Sequence, residues 1–386
     1  MNASLFRSAC QAGCIRSIRS VRLVRSINAT RSRRWHLNAA PQRDDIEVQA
    51  DQVLRTISDN GQVGVVLVVA GIIPPLRLSL SLESLSHSPR SYTIQVSIIV
   101  VNGTRLVQEA VDRHQTAPTA SAALGRALLG TLMMSCFRGE GEKTQVSFRG
   151  NGPFGQIQVI AESQGVVKGL ITNPNVNFPL RESDNKLDVS QGVGRGVLSV
   201  VRSLPMNEVG STVVPYTGMV PIVSGEIAED LATYLADSEQ TQSALGLGVS
   251  VGRDLSIEAA GGFLVQVLPF AEDSTIEQLE KNIGKAGSMS KMLKDGLSPK
   301  QITDILLEGL GSGGEGFSLV PRYGPCDEKD LQERMKKAVA ALGVDEVKAI
   351  IEEQGMIEVT CEFCKSTYQF DEADVMRHVQ DGEFSP

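Results

Sequence analysis

Two strand-like runs around a glycine-rich turn constrain the fold of this chain most. Residues 144–148 and 155–160 alternate apolar and polar side chains, and residues 149–153 between them read Arg-Gly-Asn-Gly-Pro. A turn of this kind between alternating runs predicts an antiparallel hairpin. Residues 116–137 begin with Thr and Ser around Pro118 and continue in Ala, Leu and Met, which predicts a largely buried helix. We therefore expect an α+β fold, with hairpins and segregated helices in place of a strict βαβ alternation.

Further elements follow the same pattern. Strands are predicted at residues 96–101, 166–172, 194–202 and 262–268. Helices are predicted at residues 225–245, 274–284 and 298–310; the first places Ile227, Leu231, Tyr234 and Leu235 on one side. Four glycines within residues 311–316 predict a flexible junction, because glycine loses the most backbone entropy on ordering.

The first 43 residues differ from the rest of the chain. They contain nine Arg, no Lys and no acidic residue, and Arg16, Arg19, Arg22 and Arg25 recur every three residues between apolar side chains. This composition is typical of an organelle transit peptide, with the mitochondrial matrix favoured and a plastid as the alternative. A basic tail that binds anionic surfaces is the other interpretation. Cys10 and Cys14 would leave with a transit peptide, so we assign them no role.

Charge and hydropathy exclude two classes of partner. Without residues 1–43 the chain has 28 basic and 45 acidic residues, a net charge of −17. Because such a surface repels phosphate, we expect no nucleic-acid partner. The longest apolar run, residues 63–73, stops at Pro74 and is shorter than the roughly 18 residues that a membrane-spanning helix needs, so we expect no membrane span.

Residues 63–95 disagree with their surroundings. They contain one acidic residue, a Pro74-Pro75 break and a run rich in Ser and Leu. Without them, Gly61-Gln62 would lead directly into the strand predicted from Val96. Their removal preserves the reading frame, and codons for Val, Gly and Gln can carry the ends of an intron. We therefore hypothesise an insertion from a retained intron, with a genuine surface loop as the alternative; sequencing the mature transcript distinguishes the two.

The strongest chemical motif is Cys361-Glu-Phe-Cys364. Two thiols separated by two residues can share one tetrahedral Zn²⁺ or close a small disulfide, because the turn brings both sulfurs to one side. Cys326 is the nearest further cysteine, and His378, Asp327 or water could complete a metal shell. A thioredoxin-like dithiol is less consistent with the sequence, because a strand pattern continues after Cys364 and no helix start follows it.

Other motifs do not indicate catalysis. Residues 125–131 have the spacing of a phosphate-binding loop but lack its Lys and lie inside a predicted helix. Gly192-Val-Gly194-Arg-Gly196 precedes a strand, which is the wrong context for a dinucleotide site. His114 is interpreted as a polar residue at a helix entry. We find no Ser/His/Asp or paired-carboxylate constellation and expect no catalytic site, so the chain is not predicted to be an enzyme.

With these residues identified, the chain resembles the 33-kDa heat-shock protein family of redox-regulated holdase chaperones. The resemblance covers residues 44–386 except 63–95. It is carried by residues 107–129, by the hairpin at 146–160, by GEIAEDLATYLADSEQ and GGFLVQVLP, and by LGVDEVKAIIEEQGMIEVTCEFCKSTYQF near the C-terminus.

The resemblance implies a metal site and a switch. The family's terminal domain carries C-x-C and C-x-x-C, whose four thiolates hold one Zn²⁺. Cys361 and Cys364 match the second pair, Cys326 matches one cysteine of the first pair, and Gly324 stands where the other would be. The resemblance thus implies a three-cysteine zinc site at Cys326, Cys361 and Cys364, with Cys361 and Cys364 as the redox switch. The first disulfide of the family cannot form here, so either the switch runs on Cys361 and Cys364 alone, or the chaperone is weakly redox-gated or constitutive.

The implied organisation has four parts. Residues 1–43 form the transit peptide, 44–270 an N-terminal chaperone domain of antiparallel sheets and helices, 271–322 a helical and glycine-rich linker, and 323–386 a small C-terminal domain resembling a zinc knuckle. The implied function is ATP-independent binding of unfolding client proteins under oxidative stress, with a homodimer on activation. Bacterial members of the family are cytoplasmic; here we expect an organelle matrix. The alternatives are a thiol-disulfide oxidoreductase and a zinc-ribbon interaction module.

Overall fold

Two antiparallel sheets and one long buried helix organise the N-terminal part of the chain. The computed structural model describes residues 51–57, 96–136, 138–139, 141–203, 215–268, 271–311, 316–324 and 328–375. The predicted transit peptide, residues 63–95, most of the glycine-rich junction, and Cys326 lie outside the described residues. The chain divides into two compact units, one of residues 49–325 and one that contains residues 326–386.

Sheet 1 has five strands, and neighbouring strands are antiparallel. In spatial order they are β10 (Phe317–Leu319), β1 (Gln52–Ile57), β2 (Val96–Asn102), β9 (Ile257–Val267) and β8 (Ser243–Val251). Because Ile57 of β1 pairs with Ser97 of β2, residues 58–95 connect two antiparallel neighbours. Residues 58–62 alone would be a usual length for such a connection.

Sheet 2 has six strands. In spatial order they are β11 (Arg322–Tyr323), β5 (Val166–Ile171), β4 (Gln156–Glu162), β3 (Lys143–Gly150), β6 (Gly196–Ser203) and β7 (Tyr216–Ile222). The β11–β5 pair is parallel and the other pairs are antiparallel. The β3–β4 pair is the hairpin predicted from the Arg-Gly-Asn-Gly-Pro turn, and that prediction is confirmed.

The helices of this unit differ in their surroundings. They are α1 (Thr104–His114), α2 (Pro118–Ser135), α3 (Val189–Val193), α4 (Ala228–Asp237), α5 (Asp273–Ala286), α6 (Met289–Lys294) and α7 (Pro299–Leu306). Helix α2 contacts strands of both sheets and is buried at every position except Pro118 and Arg126. Its Ala, Gly, Leu and Met composition suits this position, because a helix that is apolar on all sides must be enclosed.

The second unit is smaller. It contains α8 (Glu328–Ala340), α9 (Val344–Gln354) and an antiparallel hairpin of β12 (Ile357–Thr360) and β13 (Thr367–Phe370). The α+β class predicted from the sequence is confirmed in both units. Within the described residues, no helix is long and apolar enough to cross a membrane.

Several predicted boundaries were wrong. The helix predicted at residues 225–245 ends at Asp237, because Gln240 adopts a left-handed φ of 53° and Ala244 and Leu245 instead pair with Val265 and Leu264 of β9. The helix predicted at 298–310 ends at Leu306. Helix α6 and strands β10 and β11 were missed, since they are short segments stabilised by partners distant in sequence.

The glycine motif at residues 192–196 has a packing role. Gly192 lies in α3, its carbonyl accepts a hydrogen bond from the Phe154 N–H at 3.0 Å, and a Cβ at Gly192 would overlap the Phe154 ring. The ring is buried and lies edge-on to Phe178, so it has little room to move. The motif therefore requires glycine for close packing.

We predict that Gly192→Ala lowers the free energy of unfolding by about 1–3 kcal/mol, because the added methyl overpacks a rigid ring. Chemical denaturation followed by circular dichroism measures it. The matched control is Gly284→Ala in α5, where a Cβ would meet no atom within 4 Å, so the change should be neutral or stabilising by up to about 1 kcal/mol. Equal unfolding midpoints for Gly192→Ala and the unmodified chain would contradict the packing role.

Candidate functional site

The two C-terminal cysteines lie in the turn of the β12–β13 hairpin. The Cys361 N–H donates to the Ser366 carbonyl at 2.9 Å, and the Lys365 N–H donates to the Cys361 carbonyl at 2.8 Å. Lys365 has a left-handed φ of 59°, and the Thr360 and Thr367 hydroxyls lie 2.9 Å apart at the base of the turn. Backbone hydrogen bonds thus fix the segment that carries both thiols.

Both thiol side chains of this turn are buried. Cys361 is 4% exposed, Cys364 is 3% exposed, and Phe363 between them is also buried. A strand follows the motif, as the sequence predicted, and a helix does not. This setting is that of a metal-binding or disulfide-forming turn rather than the helix start of a thioredoxin-like dithiol.

The second unit has few apolar residues with which to hold itself together. Those buried in its described part are Leu331, Met335, Val339, Ala340, Val347, Ile357, Phe363, Phe370 and Val375. The chain from residue 326 to 386 also carries 15 acidic and 7 basic residues. A small acidic unit with a core of this size gains much of its stability from an additional cross-link or metal.

The donor set fits half of a thiolate zinc site. Among the described residues, no group of three His, Cys, Asp or Glu side chains is placed to hold a metal. Cys361 and Cys364 are the two described members of the predicted set, and Cys326, Asp327 and His378 lie outside the described residues. Two buried cysteines in one fixed turn are what a tetrahedral thiolate site requires of its second ligand pair.

The backbone of Gly324 is hydrogen-bonded to sheet 2. Its N–H donates to the Val167 carbonyl of β5 at 3.0 Å, so it continues the pairing of β11. Its φ is 141°, a backbone conformation that side chains with a Cβ adopt only with strain. The residue in the position of the missing cysteine is thus one whose conformation suits glycine.

The second part of the candidate site is an apolar face of sheet 1. Val96, Ile98 and Val100 of β2 and Phe263 and Val265 of β9 point to the same side of the sheet and are buried. They are covered by side chains of the segment that follows β9: Leu279, Met289, Met292, Ile302, Leu306 and Leu307. We call this surface the covered face and helices α5, α6 and α7 the covering helices.

Polar contacts order the covering helices among themselves. The buried Asn282 side chain of α5 donates to the Leu306 carbonyl at 3.0 Å and to the Glu308 carbonyl at 2.8 Å. Ser298 and Gln301 form a capping box at the start of α7. The contact with the sheet itself is made mainly by the apolar side chains, together with one half-exposed ion pair between Lys294 of α6 and Glu258 of β9 at 2.5 Å. The apolar part of the contact is non-directional.

The strands after the covering helices anchor them to the same unit. β10 adds to the edge of sheet 1 beside β1, and β11 adds to sheet 2 beside β5. The Tyr323 hydroxyl donates to the Gly169 carbonyl at 3.0 Å and lies 3.1 Å from Nε2 of His114. His114 is the buried last residue of α1, so the prediction of a polar residue at a helix entry was wrong. No local signal indicated a contact across 209 positions.

Cys136 has a different character from the C-terminal pair. It follows α2, is buried, and its burial raises the pKa of its thiol to about 12. A thiol with that pKa holds a negligible thiolate fraction near neutral pH and is a poor nucleophile. Cys136 is therefore suited to a structural role and not to redox chemistry.

Comparison with known proteins agrees with the fold, and the matched residues include the cysteine turn. The family model described as "Hsp33 protein" matches residues 91–371. The 33 kDa chaperonin of Shouchella clausii is 42% identical over 298 residues, which cover 76% of this chain and 96% of that protein. The corresponding protein of Latilactobacillus sakei is 42% identical over 283 residues, 73% of this chain and 93% of that protein.

A solved structure agrees as well. The crystal structure of the 33 kDa chaperonin from Thermotoga maritima superposes with a TM-score of 0.66 at 34% identity, covering 74% of this chain and 94% of that one. Both the sequence matches and the structural match extend over nearly the whole length of the relatives. The chain belongs to the 33-kDa heat-shock protein (Hsp33) family, whose members are chaperones and not enzymes.

Proposed function

We propose that this protein is an ATP-independent holdase whose client-binding surface is the covered face, released when the C-terminal cysteine unit is oxidised. The observation that carries the proposal is the position of the covering helices. They bury a continuous apolar patch on sheet 1 and lie in the chain directly before the cysteine unit. An apolar patch of this kind, once exposed, binds unfolding chains without sequence preference.

The energetics suit a releasable cover. Each apolar side chain that the covering helices bury contributes about 1.5–3 kcal/mol, whereas each residue that they order costs about 1–2 kcal/mol of backbone entropy. Because the free energy of apolar burial and the entropy cost of ordering nearly cancel, a small change at either end of the segment shifts the equilibrium between the docked and the released cover. The C-terminal end leads, through β10 and β11, to the cysteine unit.

The cysteines supply the switch. We propose that Cys326, Cys361 and Cys364 hold Zn²⁺ as thiolates, and zinc, when bound, supplies folding free energy to the small acidic unit. Under peroxide, the Cys361 and Cys364 thiolates lose two electrons and form one disulfide, while hydrogen peroxide takes up those electrons and two protons from solvent and becomes two water molecules. Two metal ligands are lost in that step, and the unit loses the stability that ligation gave it.

Partners and location follow from the same features. The proposed partners are unfolded or misfolded client proteins, together with a second copy of the chain on activation. The acidic composition of residues 44–386 supports the solubility of client complexes. The Arg-rich, acid-free residues 1–43 support delivery to an organelle matrix, with the mitochondrion favoured and a plastid as the alternative.

Removing the switch thiols should remove the redox response. In the double variant Cys361→Ser, Cys364→Ser, protection of a heat-unfolding client should be the same with dithiothreitol and with peroxide, as measured by light scattering. Cys136→Ala is the matched control and should keep the response of the unmodified chain, because the raised pKa of Cys136 makes that thiol unreactive. A double variant that still responds to peroxide would refute the role of the thiols.

Metal content should depend on all three cysteines. The reduced full-length protein should contain about one zinc per chain by elemental analysis, since three thiolates can hold the ion tightly. Cys326→Ser should lower the zinc content several-fold, and Cys136→Ala should leave it unchanged. Full zinc occupancy in Cys326→Ser would remove Cys326 from the ligand set, and metal-free reduced protein would overturn the zinc switch as a whole.

Weakening the cover should activate the chaperone without an oxidant. Ile302→Ser in α7 removes a fully buried side chain from the covered face, at a cost of about 2–5 kcal/mol. Client protection under reducing conditions should therefore rise toward the level of the oxidised protein. Ile305→Ser, on the same helix but at a side chain that is 36% exposed, should leave the reduced protein inactive. Equal activity of the two variants under reducing conditions would contradict a client site beneath the helices.

A further inference from the structure

The opposite side of sheet 1 contains a cavity. It has a volume of about 140 Å³ and lies between the sheet and helices α2 and α4. Its apolar wall is formed by Ile99, Met133, Met134, Leu235 and Leu264, all of them buried. Arg55, Cys136, Arg138 and Gln266 form the rest of its lining. A cavity of about 150 Å³ is large enough to hold benzene, so this partly polar space has room for a group of that size.

Among the described residues, one cation at this cavity lacks a counter-charge. Arg138 lies 3.3 Å from a carboxylate oxygen of Glu239 and 3.9 Å from one of Glu142, and Arg202 contacts the same two carboxylates. The two positive charges of these arginines are therefore matched by the two negative charges of the glutamates.

Arg55 of β1 also lines the cavity. Its Nε is buried and has no hydrogen-bond partner among the described residues, and burial lowers its pKa. The cavity thus carries one unmatched positive charge.

Two further polar atoms on this side of the sheet are unsatisfied. Gln266 lines the cavity and is the cross-strand partner of Ser97 on one side and of Ser243 on the other. The hydroxyls of both serines are buried without a hydrogen-bond partner among the described residues, and Ser97 is only 2% exposed. Folded proteins pair nearly all such atoms, because each one left unpaired costs about 1–3 kcal/mol.

We propose that this cavity binds a small monocarboxylate with an apolar body about the size of a benzene ring. The carboxylate pairs with Arg55, and the apolar body lies against the leucine, isoleucine and methionine side chains. Sulfur of Met133 and Met134 makes favourable contacts with aromatic rings, which favours an aromatic acid. A dianion is excluded, because only one positive charge is unmatched in the described part of the cavity and because Glu142 and Glu239 lie nearby.

Binding has a consequence that rests on the proposed function. Arg55 is opposite Phe317 in the register of β1 and β10, and β10 belongs to the segment that follows the covering helices. A ligand that neutralises Arg55 stabilises β1, the strand with which that segment pairs through β10. Occupancy should therefore delay activation by peroxide.

Benzoate is the probe for the site. Calorimetric titration of the reduced full-length protein should show saturable binding of benzoate, at least tenfold weaker binding of the uncharged benzyl alcohol, and no binding of the dianion phthalate or of the larger 2-naphthoate. Arg55→Met should weaken benzoate binding at least tenfold. Arg253→Met, which removes an exposed arginine, should leave it unchanged.

A second variant covers the case in which Arg55→Met fails to fold. Met134→Phe fills part of the cavity and keeps all the charges, and it should also weaken benzoate binding at least tenfold. Absence of benzoate binding to the unmodified protein would overturn the proposal and would assign the unsatisfied atoms to bound water. Equal affinities for benzoate and benzyl alcohol would overturn the role of Arg55. These outcomes are independent of client protection, so failure here is distinguishable from failure of the holdase function.

Discussion

Burial of the β2–β9 face of sheet 1 is the constraint on which the rest of the structure depends. Five apolar side chains on two central strands must be kept from water in the resting protein, and the chain covers them with a segment distant from β2 in sequence. A permanent core would use a long helix with many contacts on all sides, as α2 does between the two sheets. The cover instead consists of three helices of 14, 6 and 8 residues, with exposed glycines at 287 and 296 between them. This construction suits the release that we propose, because α2 and the two sheets form a core of their own.

Local sequence signals predicted the elements that local physics determines. The Arg-Gly-Asn-Gly-Pro hairpin, the buried α2 helix and the strand after Cys364 were each predicted, because turn chemistry, composition and alternation act within about twenty residues. The helix predicted at residues 225–245 extended too far past Asp237. The residues that follow Asp237 are held by strand pairing with β9, which is not a local interaction. β10, β11 and the contact between His114 and Tyr323 depend on partners more than 150 residues away and leave no periodic pattern.

The residues of the candidate site likewise divide into those that a local sequence signal indicates and those that only the fold brings together. Cys361 and Cys364 were found because their spacing is itself the chemical requirement. The covered face was not found, because Val96, Ile98 and Val100 are an ordinary buried strand in the sequence, and only the docking of α7 shows that their cover is a separate segment. Arg55 gave no signal in the sequence, because a single arginine in a strand is normal. What distinguishes it is that its Nε has no hydrogen-bond partner among the residues that the structure describes.

Gly324 connects the loss of one cysteine to the anchoring of the cover. Its N–H extends the β11–β5 pairing, and the neighbouring Tyr323 hydroxyl is bonded to Gly169. A cysteine at position 324 that coordinated a metal would also have to keep this strand pairing. It would have to do so in a backbone conformation that disfavours a Cβ. Glycine at this position removes that conflict and leaves the end of the cover anchored to sheet 2 by hydrogen bonds. In the proposed switch the remaining cysteines act against this anchor, so that gating would depend on the balance between a three-cysteine metal site and a strand held by hydrogen bonds.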